Sequence, residues 1–333
     1  MRIAIGLALL AYTALSLGHH SRSHYPEQKQ EISGELVAVH WTNPHVGFTV
    51  SVTNDEGQEE QWRVEGRSNL FSMERGGATR EMFNVGEQVT FLGSESVRRP
   101  RDMLATNLLL ANGTEVMLDR DAEPRWSEDN VGRYDSRVTQ SSLVDALSEN
   151  RGIFRVWSWA GDSAVQSRHF PFTDAAIEAR AAWDPIDNFL ERCEPQGMPG
   201  IMMHPHSIEF TDRGTGIELA IQFFDQVRII HMDVAAPPAD APASHLGYSV
   251  GRWEEGTLVV TTTRIDWPYF DGIGTPQSEA IETVERFTVS EDQGRLHYRQ
   301  TVTDDATFSE PAVYERDWVA LGSAIRPYAC QVY

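Results

Sequence analysis

The sequence predicts a mainly β protein: a small OB-like barrel followed by a larger antiparallel, lipocalin-like β-barrel. Three observations in the 333-residue chain carry this. Short runs that alternate apolar and polar side chains recur along it, the mark of half-buried strands. The first part orders three strands, a helix and two more strands, as an OB-fold does. The second part strings about eight strands together through tight turns, enough to close a barrel.

Residues 1–18 read as a signal peptide. One early charge, Arg2, precedes an apolar run over 3–17, which ends in Ser16-Leu17-Gly18, a small-x-small cleavage pattern. The run is too short for a bilayer, which needs about 20 apolar residues. The expected mature protein therefore begins at His19, has no membrane span, and is periplasmic or secreted.

The first domain is expected over 31–119. Strand 32–41 places Ile32, Leu36, Val37, Val39 and Trp41 in an alternating run, and 46–53 and 59–65 (with Trp62 and Val64) continue the pattern. A short helix after Ser68 carries Leu70, Phe71 and Met73 and stops at Gly76-Gly77. Strands 88–93, 105–111 and 115–118 complete the unit. Residues 120–150 open on the polar stretch Asp121-Ala122-Glu123-Pro124 and read as a linker, with a short helix near 141–147.

The second domain, 151–333, opens with an aromatic strand holding Phe154, Trp157 and Trp159. Thr173 caps a helix that starts at Asp174 and ends before Asp184-Pro185. Strands follow at 207–211, 217–224, 227–232, 246–253, 258–265, 282–289, 296–303 and 312–319. Asp212-Arg213-Gly214, Glu254-Glu255-Gly256 and Asp292-Gln293-Gly294 supply hairpin turns. Such a barrel can enclose an apolar-lined pocket, here expected to have Arg252 or Glu285 near its mouth or interior.

The net charge of −21 argues against nucleic acid and anionic membrane surfaces as partners, since both would repel the chain. The two cysteines, Cys193 and Cys330, are expected to pair in an oxidising compartment, closing a loop of well over a hundred residues.

Three groups of residues can carry chemistry. His19, with its free α-amine, His20 and His45 form a donor set for copper, with His40 or His24 as further arms. The bland reading leaves the terminus loose and His45 bonded to backbone at a turn. Met202-Met203-His204-Pro205-His206 reads either as a soft-metal or acid–base pair, or as a turn whose methionines fill core gaps. Arg252, Glu254, Ser278, Glu279, Glu285 and Arg286 form a polar set. They would orient a ligand carboxylate or carbonyl, or simply fix strand register. No nucleophile elbow, phosphate loop or dinucleotide fingerprint occurs.

His19-His20-Ser21, Trp41-Thr42-Asn43-Pro44-His45, Cys193-Glu194-Pro195-Gln196-Gly197-Met198-Pro199, Gly251-Arg252-Trp253-Glu254, Ser278-Glu279-Ala280 and Val284-Glu285-Arg286-Phe287 together resemble a large family of exported bacterial proteins of unknown function. The resemblance implies export and two β domains, and no reaction. Thr261, Gln277 and His206 depart from it, standing where the family usually has Asp, His and Tyr.

The expected function is binding of a small apolar or metabolite ligand in the second barrel at Arg252, Glu254, Glu285 and His206, with a metal at the mature N-terminus. The alternative is an exported hydrolase, lyase or isomerase that uses His and carboxylate side chains as acid and base.

Overall fold

The computed structural model describes residues 24–133, 147, 151–159, 165–320 and 325–332. Its first sheet closes on itself. Strands β1 (Gln30–His40), β2 (Gly47–Thr53), β3 (Glu59–Gly66), β4 (Gln88–Glu95) and β5 (Asp102–Leu109) run in the order β3-β2-β1-β4-β5, and β3 pairs back onto β5 in parallel. Helix α1 (Leu70–Arg75) bridges β3 and β4, capped by the Asn69 side chain, which accepts the Ser72 N–H at 2.9 Å. This is the expected OB-type barrel. Leu36, Phe48, Val50, Val64, Phe91 and Leu108 fill it and are fully buried. Gly34 lets the strands close tightly, because a Cβ there would lie 2.1 Å from the Ser51 carbonyl oxygen.

Strands β6 (Glu115–Met117) and β7 (Asn130–Val131) extend this sheet from β5. The segment between them, which the sequence assigns to the linker, folds back on the barrel instead. The buried Glu115 carboxylate accepts the N–H groups of Arg125, Trp126 and Ser127 at 2.8–3.0 Å. A single carboxylate thus organises a loop that has almost no apolar pattern. Of the helix expected near 141–147, only Leu147 lies within the described residues.

The second sheet forms a larger ring from β8 (Val156–Trp159), β10 (Ile208–Asp212), β11 (Gly216–Ile221), β12 (Gln226–His231), β13 (Tyr248–Glu254), β14 (Thr257–Thr263), β15 (Glu282–Val289), β16 (Arg295–Thr303) and β17 (Ala312–Ala320). The β16–β17 and β17–β8 pairings close it. Two features differ from the sequence expectation. β12 and β13 pair in parallel, because the connection across 232–247 is long enough for a crossover. A further strand, β9 (Val165–His169), lies beside β8 along the same edge of β17. Its mostly exposed V-Q-S-R-H sequence has no apolar alternation to reveal it. Helix α2 (Asp174–Ala182) is capped by Thr173 as expected.

Inside this barrel, apolar side chains such as Phe210, Leu258, Phe287 and Trp318 surround one buried ion pair. Arg228 of β12 donates through both terminal nitrogens to the two carboxylate oxygens of Glu285 on β15, and side-chain exposure is 1% and 0%. Ser249 Oγ, Thr262 Oγ1 and Tyr298 Oη complete the network at 2.7–2.8 Å. Such satisfaction is what makes a buried pair tolerable; removing one partner typically costs about 3–5 kcal/mol.

The segment from Cys193 to His206 plugs one end of the ring. Its carbonyls are met by side chains of the barrel and of the loop before β15. Gln277 donates to the Met198 carbonyl at 3.0 Å, Gln300 to Pro199 at 3.4 Å, Arg316 to His204 at 2.6 Å and Trp318 to His206 at 3.0 Å. The plug is then tied to the chain end by the Cys193–Cys330 disulfide, with Cα atoms 5.9 Å apart. That end is in turn clasped by the Asn43-Pro44 turn of the first barrel. Thr42 Oγ1 donates to the Ala329 carbonyl at 2.7 Å, Asn43 Nδ2 to Tyr328 at 2.6 Å, and the Gln331 N–H to Asn43 at 3.1 Å. Arg98–Asp184 and Arg99–Glu191 ion pairs join the domains beside it.

The bridge spans 137 residues, for which the chain-entropy relation allows about 4–5 kcal/mol. Cys330→Ser should lower the unfolding free energy of the second domain by roughly 2–4 kcal/mol in urea titrations. The same loss should appear in the native protein on reduction, and an unchanged midpoint would show that the plug is held without the bridge.

Candidate functional site

Between β9 and the plug lies a small, open pocket of about 60 Å³. Among the described residues β9 pairs with no strand on its far edge. Phe170, Phe172, Met203 and Ile273 form apolar walls, and Gln196, His204, Arg168, Asp271 and Tyr314 bring polar groups to the lining. This mixture suits a small organic ligand, whose sites are mostly apolar with a few placed polar groups.

Each polar group is positioned by local structure. Gln196 is fully buried, and its Oε1 lies 2.5 Å from His204 Nε2. Its Nε2 has no hydrogen-bond partner among the described residues. Gly200 makes room for that amide, since a Cβ there would stand 1.8 Å from Gln196 Nε2. The His204 ring stacks on Phe223 with centroids 3.9 Å apart. Arg168 reaches from β9 across the Tyr314 ring, with its guanidinium carbon 5.7 Å from the centroid. Asp271 turns its carboxylate into its own loop: Oδ1 accepts the N–H groups of Ile273 and Thr275, and Oδ2 accepts Thr275 Oγ1 at 2.6 Å. Burial pushes its carboxyl above the usual range.

The residues singled out in the sequence are distributed differently. Of Arg252, Glu254, Glu285 and His206, none lines this pocket. Arg252 and Glu254 face outward and, with Arg286, make exposed ion pairs at 2.7 and 3.0 Å across the outside of β13 and β15. Val259 lies beneath them, buried. Glu285 is inside the barrel, but both its oxygens are occupied by Arg228 and Tyr298. Ser278 serves structure: its hydroxyl and N–H donate to the buried Asp304 carboxylate at 2.8 and 2.7 Å.

His206 sits where the domains meet. Its ring stacks on Phe223 at 4.8 Å and meets Tyr328 edge-on at 5.3 Å; Phe71 of α1 approaches it at 6.5 Å. His45 is also buried, and its Nδ1 lies 2.8 Å from Glu65 Oε1. His19 and His20 lie outside the described residues. Among the described residues no group of three or more His, Cys, Asp or Glu is arranged to hold a metal. The disulfide pairing is as expected.

Residues Arg168, Gln196 and Asp271 were not among the sequence candidates. The available signal is the C-E-P-Q-G-M-P motif, which places a buried amide within the apolar plug. Nothing in the polar run of β9 separates Arg168 from a solvated surface arginine.

Fold and site together define a two-barrel protein with a plugged second barrel and a pocket beside the plug. Residues 7–101, covering most of the first barrel and the segment before it, match a family of unknown function (DUF6152). No curated protein matches the chain.

Burial, reinforced by the charges of Arg316 and His45, depresses the His206 pKa from 6.5 to about 3. Because the folded value lies below the unfolded one, its stabilising contribution is complete above pH 6.5 and is lost as pH falls toward 3. At pH 4.5 that share amounts to roughly 2–3 kcal/mol. His206→Phe, which keeps the aromatic stack, should reduce the drop in unfolding free energy between pH 7 and pH 4.5 by about that amount. An unaltered drop would place the acid sensitivity elsewhere.

Proposed function

We propose that the chain is an exported small-molecule binding protein whose ligand occupies the pocket between β9 and the plug of the second barrel. The observation that carries this reading is the Gln196 amide. It is fully buried in the lining of an apolar-walled pocket, and its buried Nε2 has no partner among the described residues. An unmade hydrogen bond of this kind costs about 1–3 kcal/mol, which a ligand acceptor would offset. The enzyme alternative has less behind it. The lining holds no Ser, Thr, Cys or Lys, and the Asp271 oxygens are engaged within their own loop. Export rests on the N-terminal sequence pattern and agrees with a disulfide.

Calorimetric titration with 2-naphthoate and 2-naphthamide tests the pocket. At least one should bind the full chain with one-to-one stoichiometry, and Ile273→Trp, which fills the cavity, should weaken it at least tenfold. Failure of both compounds, or equal binding to the filled variant, would overturn the proposal.

A second reading places copper at the mature N-terminus with His45. Glu65 holds His45 Nδ1, the way carboxylates orient metal-binding imidazoles. The same Glu65 acts electrostatically on His24, so the chain five residues after His19 passes nearby. Five residues span at most about 17 Å, the reach this reading requires of His19 and His20. Cu(II) calorimetry on protein beginning at His19 should show binding that an added residue before His19 and His45→Ala each weaken at least tenfold. Equal affinity in all three would end this reading.

A further inference from the structure

The donors around the pocket are unequally matched, and the imbalance has a sign. In a chain of net charge −21, arginines have no shortage of carboxylates, and most surface arginines here are paired. Arg168 is an exception. Among the described residues it forms no ion pair; its guanidinium lies over the Tyr314 ring and acts electrostatically on Arg316. Arg180 stands behind the Phe172 wall, 4.9 Å from that ring's centroid, with one buried guanidinium nitrogen that has no partner among the described residues. Gln196 Nε2 is the third unmatched donor. The one carboxylate in the lining, Asp271, is satisfied internally by two N–H groups and a hydroxyl. Of these three, Arg168 and Gln196 line the pocket, whereas the Arg180 charge acts on Asp271 from outside the lining, and no acceptor is left open on Asp271.

We infer that the pocket takes a flat, largely apolar carboxylate, its ring system against Phe170, Phe172 and Met203 and its carboxylate on Gln196 Nε2, with Arg168 at the rim as counter-charge. This rests on the binding reading above and adds the ligand class. Charge-assisted hydrogen bonds are about twice as strong as neutral ones, so the head group dominates selection. The aromatic walls accept a planar ring by offset or edge contact. The negative field of the whole chain opposes an anion from a distance, so recognition must come from these short contacts, and added salt should weaken binding only modestly.

The test compares 2-naphthoate with its neutral isostere 2-naphthamide by calorimetry on the full chain, in wild type, Arg168→Gln and Gln196→Glu. Wild type should bind the carboxylate at least tenfold more tightly than the amide. Arg168→Gln, an exposed substitution that leaves the core intact, should weaken the carboxylate at least fivefold and leave the amide within twofold. Gln196→Glu should abolish carboxylate binding by like-charge repulsion. Equal affinity of the two compounds in wild type, or an equal effect of Arg168→Gln on both, would overturn the anion assignment while the pocket stands. Binding of neither compound would overturn the pocket and the assignment together.

Discussion

A chain segment that enters the mouth of a barrel brings its carbonyls out of water, and those carbonyls must find donors. This constraint organises the second domain. Gln277, Gln300, Arg316 and Trp318 each meet a different plug carbonyl. Arg316 shows how far the requirement goes. It is fully buried, lies 4.4 Å over the Trp318 ring, and is held by carbonyl oxygens rather than by a carboxylate. Burial lowers its pKa, yet a guanidinium stays protonated under any ordinary condition. Gln300, Arg316 and Trp318 therefore serve first to dock the plug, and the pocket lies beside β9.

The plug also couples the domains. Its first residue, Cys193, is bonded to Cys330, and the backbone around Cys330 lies against Asn43 in the first barrel. Two motifs far apart in sequence, W-T-N-P-H and C-E-P-Q-G-M-P, thus meet through four residues, Tyr328 to Gln331. Tyr328 strengthens the junction by packing against Phe223, Phe224 and His206. Exposed ion pairs such as Arg98–Asp184 add little by themselves. The buried aromatic cluster and the covalent link set the relation between the barrels.

The barrels were legible because both obey the two-residue period of strands, and the OB-type order of elements needs no long-range information. The site was less legible for a physical reason. In Val227-Arg228-Ile229-Ile230 the hydrophobic pattern invites Val227 and Ile229 inward, yet they are 50% and 45% exposed while Arg228 is buried on Glu285. A buried ion pair inverts the apparent face of a strand, and only the partner strand reveals it. Arg252 and Glu254 depart in the opposite direction: expected at the ligand, they lie on the outer face of the barrel. Gln196 was in view within its motif, but its role depends on Gly200 and His204 folding over it, a contact that strand periodicity does not encode.

Ligand binding at this pocket requires that the plug and β9 form one binding surface. Hydrogen exchange read by mass spectrometry on the intact, oxidised protein, with and without saturating 2-naphthoate, addresses this directly. The account predicts slowed exchange in peptides covering 168–172, 196–206 and 270–275, with the first barrel unchanged. Slowing confined to the first barrel, or ligand binding that leaves the plug peptide untouched, would contradict it.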